Sequence, residues 1–182
     1  VWDLEDGFVG WTNPYGDDCS GSQIAVGWQG FTSRGQYGSS CFVLNEYGPN
    51  VFSGRYSQQV TFDFVDSQAG IYRTFDSKPG HTYQALARIR HVRAEPPMQF
   101  QFGVEPNGGT DWQAETVQWT PWSQFIVDQW MEHEQTFVAS GAKTTVFIKG
   151  IHSVATQGGA TYIDAIEIID LGVRYAQVHC CF

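Results

Sequence analysis

Carboxylates and imidazoles are the residues of this chain that could carry out catalysis. Glu95, Glu105, Asp111, Glu115, Glu132 and Glu134 would serve a glycosidase if two of them faced each other across a sugar bond, about 5 to 9 Å apart. With nineteen Asp and Glu in 182 residues, such pairs arise by chance. The histidines His81, His91, His133, His152 and His179 are scattered without metal-ligand spacing. No G-x-S-x-G elbow, H-E-x-x-H helix or P-loop is present. His91 falls on the apolar parity of its run and reads as a satisfied, semi-buried histidine. The expectation is that the chain is not an enzyme.

A second chemistry is recognition. The stretch "GVEPNGGTDWQAETVQWTPW", Gly103 to Trp122, holds three tryptophans. Indole rings stack on the apolar faces of sugars, and Gln, Asn, Asp, Glu and Arg bond the hydroxyls. Asp111 and Trp112 stand at the exit of an Asn107-Gly108-Gly109 turn, and Trp122 follows Pro121 at a strand end. These three are candidate glycan contacts. Trp119 shares parity with Val117 and reads as core. A further set is Arg88, Arg90, Gln99 and Gln101, on the polar faces of two successive runs. They would stand side by side if those runs pair. The plainer reading of this set is an ordinary solvated sheet face.

The elements that must position these residues are strands. "TYQALARIRHV" sets Tyr83, Ala85, Ala87, Ile89 and His91 against Gln84, Leu86, Arg88 and Arg90. "MQFQFGV" sets Phe100, Phe102 and Val104 against Gln99 and Gln101, and "SQQVTFDFV" puts Val60, Phe62 and Phe64 on one face. Period two over five to nine residues is the half-buried strand signature. "SKPGH", "AEPP", "EPNGG", "ASGAK" and "TQGGA" break the runs as turns. The pattern predicts eight to ten strands and no long helix. Two antiparallel sheets packed face to face, an all-β sandwich of jelly-roll type, satisfy it.

The net charge of −9 argues against nucleic acid as a partner. No apolar run reaches the ~20 residues of a membrane span. The chain opens "VWDLEDGF" without an initiator methionine, which reads as a mature secreted form or an excised domain. Four cysteines allow three pairings. Cys19 with Cys41 would close a loop as an extracellular staple. The adjacent Cys180 and Cys181 could instead reach Cys19 and Cys41, bond a second chain, or remain free thiols. Residues 1–171 read as one domain, and residues 172–182 as a tail or an extra strand.

The order of the runs resembles the galactose-binding-like jelly-roll carbohydrate-binding modules, the group of families 4, 9 and 22. A P-G-x-x-Y turn at Pro79, Gly80 and Tyr83 opens a central strand. Strands with Trp130 and Phe137 follow, and "YIDAI" from Tyr162 to Ile166 closes the domain. "DLEDGFVGW" and "SGRYSQQV" resemble the opening strands of the family, the former with its order altered. The resemblance covers roughly residues 3 to 171. It implies a non-catalytic module, extracellular, secreted or cell-surface, that binds a glycan or polysaccharide along a concave sheet face. It also implies a structural calcium held by Asp164 and by Glu5 or Asp6. A competing expectation is a structural subunit of an extracellular filament, sheath or surface layer. Such a homo-polymer would assemble through strand addition and the "VRYAQVHCCF" tail.

Overall fold

The computed structural model describes the chain apart from residues 1, 3, 93–97, 125, 156, 158 and 174–182. Cys180, Cys181, His179, Glu95 and the tail on which the filament reading rests lie outside the described residues. Among the described residues there is no α-helix, only a 3-10 turn at Gly48–Asn50. The described residues form fifteen strands, several of only two residues. They are β1 (Phe8–Gly10), β2 (Gln23–Ala25), β3 (Gln29–Thr32), β4 (Arg34–Gly35), β5 (Gly38–Ser39), β6 (Cys41–Asn45), β7 (Ser57–Thr61) and β8 (Gln68–Asp76). Then follow β9 (Thr82–Val92), β10 (Gln99–Glu105), β11 (Gln118–Trp119), β12 (Ser123–Gln124), β13 (Trp130–Val138), β14 (Lys143–Ile151) and β15 (Ala160–Gly172).

Two antiparallel sheets make the sandwich. One runs β11-β10-β14-β8-β3, with β12 also paired to β10. The other runs β13-β9-β15-β7-β6. Two-stranded ribbons, β1-β2 and β4-β5, sit beside them. The alternation read from the sequence sets which face is buried. Tyr83, Ala85, Ala87, Ile89 and His91 of β9 all face the interior, opposite Phe100, Phe102 and Val104 of β10. Truncating any of the sealed phenylalanines would cost about 3–5 kcal/mol. His91 is fully buried and its Nδ1 meets the Thr161 hydroxyl at 2.7 Å. Burial, with His133 nearby as a second repelling charge, drives its pKa down to about 3, so it is neutral.

Phe64 departs from its predicted place. β7 ends at Thr61, and Phe62 is buried while Phe64 has φ 54° and is exposed. A left-handed residue breaks the alternation, so parity no longer assigns its side. Cys19 and Cys41 form a disulfide, their Cα atoms 5.5 Å apart. It ties the segment before β2 to the start of β6.

Candidate functional site

The expected row of Arg88, Arg90, Gln99 and Gln101 does not form. β9 is central in the five-stranded sheet, flanked by β13 and β15, and β10 pairs with β14 in the other sheet. The chain crosses from one layer to the other between these strands. Alternation gives a side chain its face but says nothing of which strand lies next to it. The two arginines and the two glutamines therefore occupy opposite outer faces of the sandwich.

On the six-stranded sheet, registered partners build two rows across the outer face. Phe31, Gly70, Lys149 and Gln101 form one row. Gln29, Tyr72, Phe147, Gly103 and Trp119 form the next. At Gly70 an added Cβ would lie 1.8 Å from the Ile148 carbonyl oxygen, so the backbones approach too closely there for a side chain. A Cβ on Gly103 would lie 2.6 Å from the Trp119 ring, so this indole packs directly on the backbone of β10.

The segment that carries the tryptophans folds back over these rows. Its first turn is anchored by Glu105, a buried carboxylate whose Oε2 accepts the N–H groups of Asn107 at 3.0 Å and Gly109 at 2.5 Å. Asp111 is exposed and accepts the Gln113 N–H at 3.0 Å, so it shapes the loop. Trp112 stacks on Phe31 with ring centres 5.0 Å apart and an interplanar angle of 27°. Gln101 is buried and donates from Nε2 to the Thr120 carbonyl at 2.9 Å, which fastens the returning chain. Gln99 lies at the end of β10, opposite Gln124 of β12.

The three tryptophans converge on one lysine. Lys149 Nζ lies 3.9 Å from the ring centre of Trp119, 5.0 Å from Trp122 and 5.5 Å from Trp112. Trp119 was expected in the sandwich core. It instead belongs to a separate cluster on the outer face of the six-stranded sheet, with Phe31, Phe147, Val117, Tyr72 and Trp112. Lys149 is only 6% exposed. It has no carboxylate or hydrogen-bond acceptor among the described residues. Loss of hydration lowers its pKa from 10.5 to about 8. A cation over an indole face is stabilised by the ring quadrupole. That attraction supplies no directional acceptor, so the N–H donors remain available to a ligand oxygen. Lys149, Tyr72 and Phe31 were missed in the sequence. The available signal was "FIK" in β14, where Lys149 shares parity with Phe147 and interrupts an apolar run.

On the opposite sheet, residues 46–56 cross the outer face as a second flap. Arg88 is engaged in holding it. Its guanidinium pairs with Glu132 and lies over the Phe52 ring, which itself packs edge-on against Trp130. Arg90 donates from Nη1 to the Pro49 carbonyl and lines a separate groove of about 600 Å³.

Glu5 and Asp164 grip the same flap. Asp164 is fully buried at a bulge in β15, where Ala165 takes φ 45°. Its Oδ2 accepts the Phe52 and Ser53 N–H groups at 2.8 and 3.0 Å. Glu5 Oε1 accepts those of Arg55 and Tyr56, each at 2.9 Å. Burial raises the Asp164 pKa, the backbone N–H groups pull it back, and the Glu5 charge raises it further. Asp6 is exposed. The pair Glu5 and Asp164 fits a cation in sign: two carboxylates repel, and no ion-pair partner faces either among the described residues. It is a sparse donor set, with no group of three His, Cys, Asp or Glu together among the described residues. The remaining ligands of a calcium would be backbone oxygens or water.

No family model matches the sequence, and no curated protein does. Solved structures do. TmCBM61, determined in complex with β-1,4-galactotriose, aligns at TM-score 0.58 and 11% identity over 80% of this chain and 89% of that one. The CBM22-1 xylan-binding domain from Paenibacillus barcinonensis Xyn10C aligns at 0.54 and 16%, over 87% and 92%. The C-terminal family 22 carbohydrate-binding module of Clostridium thermocellum Xyn10B aligns at 0.55 and 14%, over 84% and 91%. The chain has the jelly-roll β-sandwich fold of these carbohydrate-binding modules.

Proposed function

We propose that this domain is a non-catalytic, extracellular carbohydrate-binding module that holds a glycan against the tryptophan face of its six-stranded sheet. The observation that carries this reading is the convergence of Trp112, Trp119 and Trp122 on Lys149. Half-buried indoles offer stacking surface for pyranose rings. The ammonium among them, lacking an acceptor of its own, offers hydrogen bonds to ring hydroxyls. Similarity in fold to modules that bind galactotriose and xylan supports the reading. The Cys19–Cys41 disulfide is in keeping with an oxidising, extracellular compartment. Against catalysis stands the use of the buried acids. Glu105 and Asp164 both accept backbone N–H groups, whereas a general acid must be free to hand a proton to substrate.

Calorimetric titration with xylan, β-1,4-galactan and acidic polysaccharides tests the reading. Trp112→Ala and Trp122→Ala are expected to weaken binding about fivefold each, since each aromatic contact is worth on the order of 1 kcal/mol. Absence of binding across neutral and acidic glycans would overturn it. As part of the same reading, Glu5 and Asp164 hold a structural calcium that fixes the 46–56 flap. Melting the protein with excess calcium and then with chelator checks this. Saturation a hundredfold above Kd stabilises by about 2.7 kcal/mol, and an unchanged midpoint would remove the metal.

A further inference from the structure

The groove beside Arg90 lies on the sheet face opposite the tryptophans. Its floor is a registered row across three adjacent strands: Gln59 of β7, Tyr162 of β15 and Arg90 of β9. At the usual strand spacing this row is about 10 Å long. One wall is the 46–56 flap, which contributes Tyr47 and Asn50. The other is the turn before β13, which contributes Asp128.

Three features mark the groove as built for a ligand. Tyr47 is 66% exposed on its rim, and its ring packs on no other aromatic among the described residues. Its backbone is tethered through the N–H to Asn45 Oδ1. Arg90 is incompletely satisfied. Its Nη1 reaches Pro49, its Nε has no partner among the described residues, and its Nη2 stands 3.6 Å from Asp128, beyond hydrogen-bond distance. Asp128 holds φ 65° and is fixed there by its N–H on the His91 carbonyl at 2.8 Å. A non-glycine residue kept in the left-handed region by its surroundings is a recurrent mark of functional positions.

We propose that this groove is a second saccharide-binding site, for a neutral sugar residue, independent of the tryptophan face. Tyr47 supplies the stacking surface. The Arg90 guanidinium and the Gln59 amide donate, while the Asp128 carboxylate and the Asn50 side chain accept. Sugar hydroxyls both donate and accept, and paired donors and acceptors of this kind complement them. Asp63 also lines the groove, so two carboxylates face one guanidinium, and an anionic sugar is disfavoured. Two sites on opposite faces would let one domain bridge two glycan chains, raising avidity without new contacts.

The test is a backbone amide NMR titration with xylohexaose, cellohexaose and β-1,4-galactotriose. It is run on wild type, Tyr47→Ala, Asp128→Gly and Trp112→Ala. Glycine suits the φ of Asp128, so that variant removes the carboxylate without straining the turn. Expected are shifts at Tyr47, Asn50 and Asp128 in wild type and in Trp112→Ala, with groove affinity reduced at least tenfold in Tyr47→Ala and Asp128→Gly. Shifts confined to residues 112–122 would overturn the second site and leave the carbohydrate-binding reading standing. Groove shifts that survive both groove variants would also overturn it. Silence at both faces with all three sugars removes the groove proposal, and the acidic polysaccharides then decide the tryptophan face.

Discussion

Replacing Lys149 with methionine removes a charge from an aromatic surround at nearly constant volume, and the consequences are calculable. In the folded chain the ammonium has a pKa of about 8, lowered from 10.5 by loss of hydration. Below about pH 8 both folded and unfolded states are protonated, so the desolvation cost is present in full. Between about pH 8 and 10.5 the unfolded chain keeps its proton while the folded chain loses it. The unfolded state then binds more protons, and stability rises with pH. A gap of about 2.5 pH units at 1.36 kcal/mol each amounts to roughly 3 kcal/mol. Near neutral pH, Lys149→Met escapes that cost, while cation–π attraction to the three indoles acts on the same protonated form and reduces it. The variant should therefore be the more stable by up to roughly 3 kcal/mol there, and the alkaline gain of wild type should equal that margin. The assay is urea unfolding of both proteins at a series of pH values from neutral to 10.5. Tyrosine and surface-lysine titrations are common to both and drop out of the difference. Wild type should gain on Lys149→Met by roughly 3 kcal/mol across the alkaline range. A flat difference would refute the reasoning, because it would mean that the indole faces fully replace the lost hydration.

Three further perturbations have defined outcomes. Gly103→Ala places a methyl where the Trp119 ring now lies. It should cost about 1–3 kcal/mol and shift tryptophan emission to the red, as seen by fluorescence during unfolding. Acidification from pH 6.5 toward 3 should erode stability through His91, whose folded pKa of about 3 prevents it from taking up the proton the unfolded chain accepts. The expected slope is about 1.4 kcal/mol per pH unit, measured as the difference in urea midpoints from His91→Gln. Reduction of Cys19–Cys41, which closes a loop of sequence separation 22, should cost about 3 kcal/mol. At this chain length that lowers Tm by about 6–12 °C, which calorimetry with and without reductant would register.

Much of the sandwich was legible because a two-residue period encodes burial directly. The parity of Tyr83 through His91 and of Phe100 through Val104 predicts the interior of both sheets, and those residues are the interior. Parity carries no information about partners. Arg88 and Arg90 follow the same rule as Gln99 and Gln101, yet a crossover puts them on opposite faces. The tryptophan segment shows a second limit. Trp119 obeys strand parity, but its two-residue strand β11 sits at the edge of the six-stranded sheet and turns the ring onto that sheet's outer face, beside Phe147 and over Gly103. Its burial therefore occurs outside the core. Lys149 was invisible for a related reason. Its environment is made by side chains between Trp112 and Trp122, and only the folded return of that segment brings them together.

The two outer faces share one construction. A sandwich ordinarily leaves its outer faces to water, and here each is partly roofed by a loop anchored on a buried acid. Glu105 anchors the tryptophan segment through two N–H groups. Asp164 anchors the 46–56 flap through two more, with Glu5 taking a further pair. A carboxylate that accepts backbone N–H groups replaces the hydration it gave up, and in return it holds the loop in place through directional, charge-assisted bonds. Each anchored segment sets aromatic side chains beside a cation carried by a strand: Trp112, Trp119 and Trp122 beside Lys149 of β14 on one face, Tyr47 beside Arg90 of β9 on the other. Glu105, one of the acids that could have served hydrolysis, is instead engaged in placing a loop. An acid substitution at Glu105 or Asp164 should therefore act on the geometry of its own face and leave the opposite one intact.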